Sequence, residues 1–344
     1  MSTVEADSAP LTTLPTGDAP PRKVLVTGGS GRLGRSVVTG LAAAGYDVVS
    51  VDRDHAPREA FPDTVVQESA DLTADGEARR VIARHQPDAL IHLAAIAVPF
   101  SAPEHIIFGT NTRMAFAVLE AATDLEVPRI ITASSPTVLG YGCPSGWLPE
   151  EFPLSEATTP KPWNAYALSK HIAEQTVEMF ARAAGNRISY AAFRPCYVIS
   201  PEEWAGAPTQ QGHTVAERLA DPALSAPALF NYVDARDVAE FLDVLIQKMG
   251  SIPNGETFFV GAADALATAP LSDLLPRFVL GSDALAEPLT GTNPAFSIEK
   301  ARRLLGWEPR RSWRTEFQPP PGSSSDHQSR PELAGTMPGS QAHP

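Results

Sequence analysis

Two residues in the stretch "NAYALSKHIAEQ" could do chemistry together. Tyr166 and Lys170 stand four positions apart, and Lys170 is one of only five lysines in 344 residues. On a helix this spacing puts both side chains on one face. A phenol held against an ammonium is a proton-transfer pair. A free tyrosine titrates near 10, so bringing one to about 7 takes roughly 3 units, or ~4 kcal/mol, from nearby positive charge. About thirty residues earlier, "RIITASSPTVLGYG" ends an apolar run with Ser134 and Ser135. A hydroxyl there can hold a reacting oxygen while the tyrosine gives or takes its proton. The chemistry this points to is hydride transfer at a secondary alcohol or carbonyl, with Lys170 lowering the Tyr166 pKa.

Such a site needs a scaffold, and the first third of the chain supplies its pattern. "KVLVT" reads as a strand. "RLGRSVVTGLAAAG" reads as a helix with Leu33, Val37, Val38, Leu41 and Ala42 on its apolar face and Gly45 at its end. "DVVSVD" is the next strand, and "IHLAA" and "RIITASS" end two more, separated by a helical stretch around Met114 to Ala122. Alternating strands and helices imply a doubly wound parallel sheet, and continuously apolar strands imply cover on both faces. Between the first strand and helix lies "TGGSGRLG". Gly29, Gly31 and Gly34 fit G-x-G-x-x-G, and Gly28, Gly31 and Gly34 fit G-x-x-G-x-x-G. Either set permits a tight turn that brings backbone N–H groups to a pyrophosphate at a helix N-terminus. Asp52 ends the second strand 18 residues after Gly34, where an acid can bind the adenosine ribose hydroxyls. A carboxylate there favours NAD over NADP, although Arg32 or Arg53 could meet a 2′-phosphate.

Bulk properties narrow the partners. A net charge of −13 and a pI near 5.1 argue against nucleic acid. "MSTVEADSAP" has neither a basic n-region nor an apolar h-region, and the longest apolar run is too short to span a bilayer, so a cytoplasmic location is expected. Cys143 and Cys196 have no metal-ligand spacing to the histidines and read as free thiols, and no metal is expected. Residues 1–21 carry four prolines and almost no apolar periodicity, residues 318–344 are Pro-, Ser- and Gly-rich without an apolar face, and both read as tails.

With these residues in hand, the chain resembles an extended short-chain dehydrogenase/reductase of the NAD-dependent epimerase/dehydratase family. The resemblance rests on "TGGSGRLG", Asp52, "ADL", "HLAA", "NTRMAFAVLEAA", "ASSPTVLG" and "YALSK". It continues through "FRPCYVISP", "NYVDARDVAEFL" and "FSIEKARRLLGWEP", covering about residues 23 to 314. It implies a Rossmann-type domain over residues 22–195 and a smaller, interleaved substrate-binding lobe over 196–317. It implies that Asp71 and Leu72 flank the adenine, that Leu93 and Ala95 line the dinucleotide, and that Asn111 lies near its nicotinamide half. Leu33, Ala94 and Pro195 join the cofactor site on the same ground, as does Lys170 through the nicotinamide ribose. The family's catalytic hydroxyl maps onto Ser135 rather than Ser134. Members often pair as homodimers through the helices holding Asn111 and Tyr166.

Departures from the family pattern bear on the reaction. Dehydratases carry an Asp-Glu pair just after the catalytic hydroxyl, and here Pro136 and Thr137 occupy those places. Nucleotide-sugar 4-epimerases show Asn where this chain has Tyr197, and an Arg where Phe230 and Asn231 stand. The expectation is therefore a dehydrogenase or reductase on a small sugar-like or secondary-metabolite substrate. A 4-epimerase that keeps its NAD and a catalytically silent NAD-binding regulator are the alternatives. His92 and His171 read as core and surface residues, and Cys196 as a buried hydrophobe. Trp147 and Trp163 read as either lid anchors or plugs. "DARDVAEFLDVLIQKMG" reads as a helix capped by Asp234, and "SIEKARRLLG" as another ending at Gly306.

Overall fold

A computed structural model describes residues 22–317; the two stretches read as tails lie outside the described residues. Nine strands are present among them: β1 (Lys23–Thr27), β2 (Asp47–Asp52), β3 (Val66–Ser69), β4 (Ala89–His92), β5 (Arg129–Ala133), β6 (Ser189–Pro195), β7 (Val198–Ile199), β8 (Val233–Asp234) and β9 (Glu256–Val260). The helices that cross between the early strands are α1 (Arg32–Ala43), α2 (Glu77–His85), α3 (Glu104–Asp124) and α4 (Ala165–Ala184). Past β7 come α5 (Pro201–Trp204), α6 (Val215–Ala220), α7 (Pro222–Ser225), α8 (Ala235–Lys248), α9 (Leu271–Phe278), α10 (Asp283–Ala286), α11 (Glu299–Leu305) and α12 (Trp313–Glu316).

Seven strands form one parallel sheet in the order β3-β2-β1-β4-β5-β6-β9. The order reverses at β1, and the crevice beside that switch point is where doubly wound folds bind ligands. Every residue of β4 is buried, as are the last four of β1 and of β5, because helices cover both faces. One core face gathers Val24, Val26, Val37, Leu41 and Phe241, and the other Leu25, Leu90, Val118, Ile130 and Tyr190. The boundaries read from sequence for β1, β2 and α1 match closely. The sequence reading did not find β9: its "ETFFV" comes shortly after α8 and returns to the sheet beside β6, which is distant in sequence. The later half of the chain is thus interleaved with the first.

The later half is fastened to the first by α8. Asp234 caps α8 by accepting from the Arg236 N–H at 2.7 Å, as its position predicts, although the helix passes into a 3-10 turn at Met249 before reaching Gly250. The α11 helix ends on Gly306 at φ 60°, as expected. The α8 helix packs directly on α1, and the approach is close because Gly40 has no side chain. A Cβ at Gly40 would stand 2.6 Å from the Cβ of Ala239, an atom that cannot swing away. Gly40→Ala should therefore destabilise the protein by about 1–3 kcal/mol. Urea denaturation reads this against Gly109→Ala, whose Cβ would meet nothing within 4 Å.

Candidate active site

The site is assembled where β1, β4, β5 and β6 end. After β1 the chain turns through Gly28 at φ +72°, and the Gly28 N–H donates to the Val51 carbonyl at 2.8 Å. A Cβ at Gly28 would lie 2.7 Å from the Ala94 nitrogen. One at Gly34 would lie 2.1 Å from the Gly28 carbonyl and 2.8 Å from the Gly29 Cα. Glycine is therefore required at both places. Gly31 is the N-cap of α1 and brings no side chain to its first turn, so the N–H groups there face outward unclaimed. Asp52 Oδ2 accepts the Ser30 N–H at 3.1 Å and Oδ1 accepts the Arg53 N–H at 2.8 Å, which fixes the carboxylate beside the turn.

These features fit a dinucleotide: a side-chain-free cradle at a helix N-terminus for its pyrophosphate, and a fixed carboxylate for a ribose diol. Next to them, Asp71 is held in its turn by the Thr73 N–H at 3.0 Å and hydroxyl at 2.6 Å, and these bonds keep its carboxyl below the usual range. Leu72 is buried beneath it, while Leu93, Ala94 and Ala95 are half-buried after β4. Pro195 ends β6. Arg32 is not free to meet a 2′-phosphate. Its guanidinium pairs with Glu203 and donates to the Pro208 carbonyl at 3.2 Å, across the crevice. Arg53 makes no side-chain ion pair among the described residues.

The candidate reacting side chains come from two elements. Ser135 caps the short 3-10 turn after β5, accepting the Thr137 N–H at 3.3 Å and lying 2.9 Å from the Thr137 hydroxyl. The α4 helix begins at Asn164, whose side chain accepts the Ala167 N–H at 2.9 Å, and at Ala165, whose N–H donates to Glu104 at 2.7 Å. Tyr166 therefore starts the first turn and Lys170 follows one turn later, both buried. Lys170 Nζ lies 5.9 Å from the Tyr166 ring centre and donates to the Ala133 carbonyl at 2.9 Å. Burial pushes Lys170 down to about 8, with Glu174 opposing. The expectation of a lowered Tyr166 pKa is not met in this structure: burial raises it, and a bond with Ser135 only partly offsets that. The reason is the direction of Lys170, whose ammonium is spent on a backbone carbonyl rather than on the phenol.

The remaining candidates have structural jobs. Asn111 uses both ends of its amide, accepting the Ile96 N–H at 2.8 Å and donating to the Ile96 carbonyl and the Ser169 hydroxyl at 3.2 Å each. It braces the loop after β4 against α4. His92 lies against the Thr27 hydroxyl at 2.8 Å, and burial first, with the Lys170 charge, pushes its pKa to about 3. His171 is half-buried beside Glu174 rather than on the surface. Trp147 and Trp163 donate to the carbonyls of Leu139 and Tyr141 at 2.8 and 3.1 Å and so pin the loop before α4.

The sequence reading missed the ion pair behind the site. Glu174 takes two parallel bonds from Arg194, at 2.7 and 2.9 Å, and one from the Ser134 hydroxyl at 2.5 Å, all buried. Ser134 is thus engaged as a structural donor. The signal was present: Glu174 is four residues after Lys170, on the same helix face.

The family model of the NAD dependent epimerase/dehydratase family matches residues 24–261, and the chain belongs to that family. The family is NAD-dependent, and NAD is the cofactor. Among curated relatives, GDP-6-deoxy-D-talose 4-dehydrogenase of Aggregatibacter actinomycetemcomitans is 32% identical over 180 residues, 52% of each chain. UDP-glucose 4-epimerase of Lactobacillus helveticus is 24% identical over 314 residues, 84% of this chain and 92% of that one. 2′-Dehydrokanamycin reductase of Streptomyces kanamyceticus is 30% identical over 155 residues, 45% of this chain and 37% of that one. The chain spans about half the length of several of the curated relatives it matches. Among solved structures, a UDP-galactose 4-epimerase superposes with a TM-score of 0.59 at 25% identity, covering 84% of this chain and 94% of that one. A UDP-glucose 4-epimerase from Thermotoga maritima shares the fold with a TM-score of 0.63 at 22% identity, over 84% and 94% of the two chains.

Glu174→Gln would leave Arg194 buried without its counter-charge, at a cost of about 3–5 kcal/mol. The pair also carries a pH signature. Burial works to raise the Glu174 pKa, but the Arg194, His171 and Ser134 bonds overcome it and bring it down to about 2. Because the folded value is depressed, the stabilisation is present above the ordinary value near 4.5 and lost as pH falls from there toward 2. Denaturant melts between pH 3 and 7 should show this slope in the wild type and a flatter one in the variant.

Proposed function

We propose that the protein is an NAD-dependent dehydrogenase or reductase that interconverts a secondary alcohol and its carbonyl on a small sugar-like or secondary-metabolite substrate. The observation that carries this reading is the convergence of Ser135, Tyr166 and Lys170 at the strand ends beside the glycine turn. NAD, when bound, accepts the hydride from the alcohol carbon or returns it to the carbonyl. Ser135 donates to the substrate oxygen. In oxidation, Tyr166 takes the hydroxyl proton as the C–H bond breaks and the C=O bond forms; in reduction it gives that proton back. Lys170 would hold the ribose diol, and burial brings its pKa to about 8, so its charge is progressively lost as pH rises through that value. The lobe over residues 196–317 would cover the substrate. Two free cysteines suit a reducing cytoplasm.

Tyr197 and the buried Phe230, in the places where 4-epimerases hold Asn and Arg, favour this reading over nucleotide-sugar epimerisation. One observation favours the epimerase alternative: Arg32–Glu203 and Arg35–Glu202 strap α5 across the N-terminus of α1 and would slow cofactor exchange. Tyr166→Phe should lower turnover by about 10²–10⁴-fold while leaving NAD affinity within about twofold of the wild type; retained turnover overturns the mechanism. The NAD content of the purified protein, before and after dialysis, separates the alternatives. Exchangeable NAD supports the dehydrogenase, and near-stoichiometric NAD that survives dialysis supports the epimerase.

We propose further that two copies pair through α3 and α4, which pack on each other and leave Phe116 43%, Met179 41% and Leu168 39% exposed on their outer face. Phe116→Glu should shift the sedimentation coefficient from dimer to monomer.

A further inference from the structure

The substrate-side lobe contains a buried cation without a counter-ion. Arg218, on α6, is 1% exposed, yet it forms no ion pair with any carboxylate among the described residues. Its Nη1 donates to the Gln211 amide oxygen at 2.7 Å, and its guanidinium lies 4.2 Å over the face of the Tyr197 ring. Its Nε is buried with no partner, and so is the hydroxyl of Tyr197. The nearby Glu203 does not serve as counter-ion, because its two oxygens are spent on Arg32 and on the Ser200 cap. An arginine is always charged and is not sealed from water unpaired without a large penalty. Two orphaned donors on adjoining side chains mark a place where an acceptor is missing.

This place adjoins the chemistry. Tyr197 follows Pro195 and Cys196 at the end of β6, is itself half-buried, and its N–H donates to Asn231 at 2.7 Å. Asn231 in turn donates to the Ala228 carbonyl, which fixes its amide. Tyr197 therefore links the end of β6, where Pro195 stands, to Arg218 on α6. Gln211, in contrast, is exposed, on a loop whose Gly206 and Gly212 sit at φ +103° and +86°. Its neutral amide is the removable member of the set.

We propose that Arg218 and the Tyr197 hydroxyl form a subsite for a carboxylate on the substrate, with the Gln211 amide holding the place until the carboxylate displaces it. A guanidinium edge matches a planar carboxylate. One cation balances the single negative charge of a carboxylate rather than the two or more of a diphosphate. The substrate would thus be a hydroxy acid of the sugar-acid kind. The proposal rests on the hydride-transfer reading for the substrate's reacting carbon, but not for the anion contact itself.

Calorimetry on the full chain saturated with NAD tests it, with glucuronate and galacturonate as probes against glucose, galactose and UDP-glucose, and with NADH formation followed in parallel. A uronate should bind, and the neutral sugars should bind at least about tenfold more weakly. Arg218→Met should weaken uronate binding by about 10- to 100-fold. Tyr197→Phe should weaken it by a smaller factor, and Gln211→Ala should tighten it by removing the competitor. The last two substitutions are small enough to keep the test open if Arg218→Met does not fold. The proposal is overturned if no uronate binds, if neutral sugars bind equally well, if UDP-glucose binds more tightly than both uronates, or if the variants retain wild-type affinity. Arg218-dependent uronate binding without NADH would retain the subsite and reject the hydride-transfer reading. NADH from a neutral sugar, indifferent to Arg218, would do the reverse.

Discussion

The Glu174–Arg194 pair is the constraint on which the site's geometry rests. It joins the middle of α4 to the end of β6 with two parallel charge-assisted bonds, and Ser134 adds the end of β5 as a third point. Three elements that contribute separately to the chemistry are thereby fixed at one depth. The α4 helix cannot rotate or slide by a turn without stranding a buried carboxylate, so Tyr166 and Lys170, two turns and one turn before Glu174, arrive at a set height above the sheet. Ser135, next to Ser134, is fixed from the other side. A buried ion pair often adds little net stability over an apolar substitute. Here its value is directional, because an apolar contact would tolerate the shifts that a bidentate pair forbids.

What the sequence disclosed and what it hid follow from the range of the interactions. The turn through Gly28, Gly31 and Gly34, the strand ending on Asp52, and the Tyr166–Lys170 spacing are local, and local patterns survive in a linear string. The caps of α8 and α11 were legible for the same reason. Glu174–Arg194 is legible only as half a pattern: its helix spacing from Lys170 is visible, but its partner lies on the next strand. Strand β9 was hidden because its neighbour β6 is more than fifty residues away. The orientation of Lys170 was hidden too, because Nζ is claimed by the Ala133 carbonyl at the end of another strand.

Arg32 shows how a residue in the right motif can be turned to another use. Its position at the start of α1 is fixed by the glycine turn, and sequence alone allows it to face a cofactor phosphate. The fold brings Glu203 across the crevice, held rigid because its other oxygen caps Ser200. The guanidinium therefore meets a pre-oriented carboxylate. That contact is worth more than one with a mobile surface acid, since less side-chain freedom is lost on forming it.

Arg194 and Arg218 set the same physical problem with different answers. Both are buried, and both lie over an aromatic ring, of Phe259 in one case and Tyr197 in the other. Arg194 has a carboxylate across Nε and Nη2 and a hydroxyl behind that carboxylate, with only its Nη1 buried and unpartnered, and it sits inside the scaffold. Arg218 has an amide on one nitrogen, nothing on Nε and no carboxylate among the described residues. A fold can afford the first anywhere, since the charges cancel within the chain. It tolerates the second where a charge from outside completes the balance. The difference between the two arginines, a counter-charge within the chain for one and none among the described residues for the other, is the ground on which the proposed subsite stands.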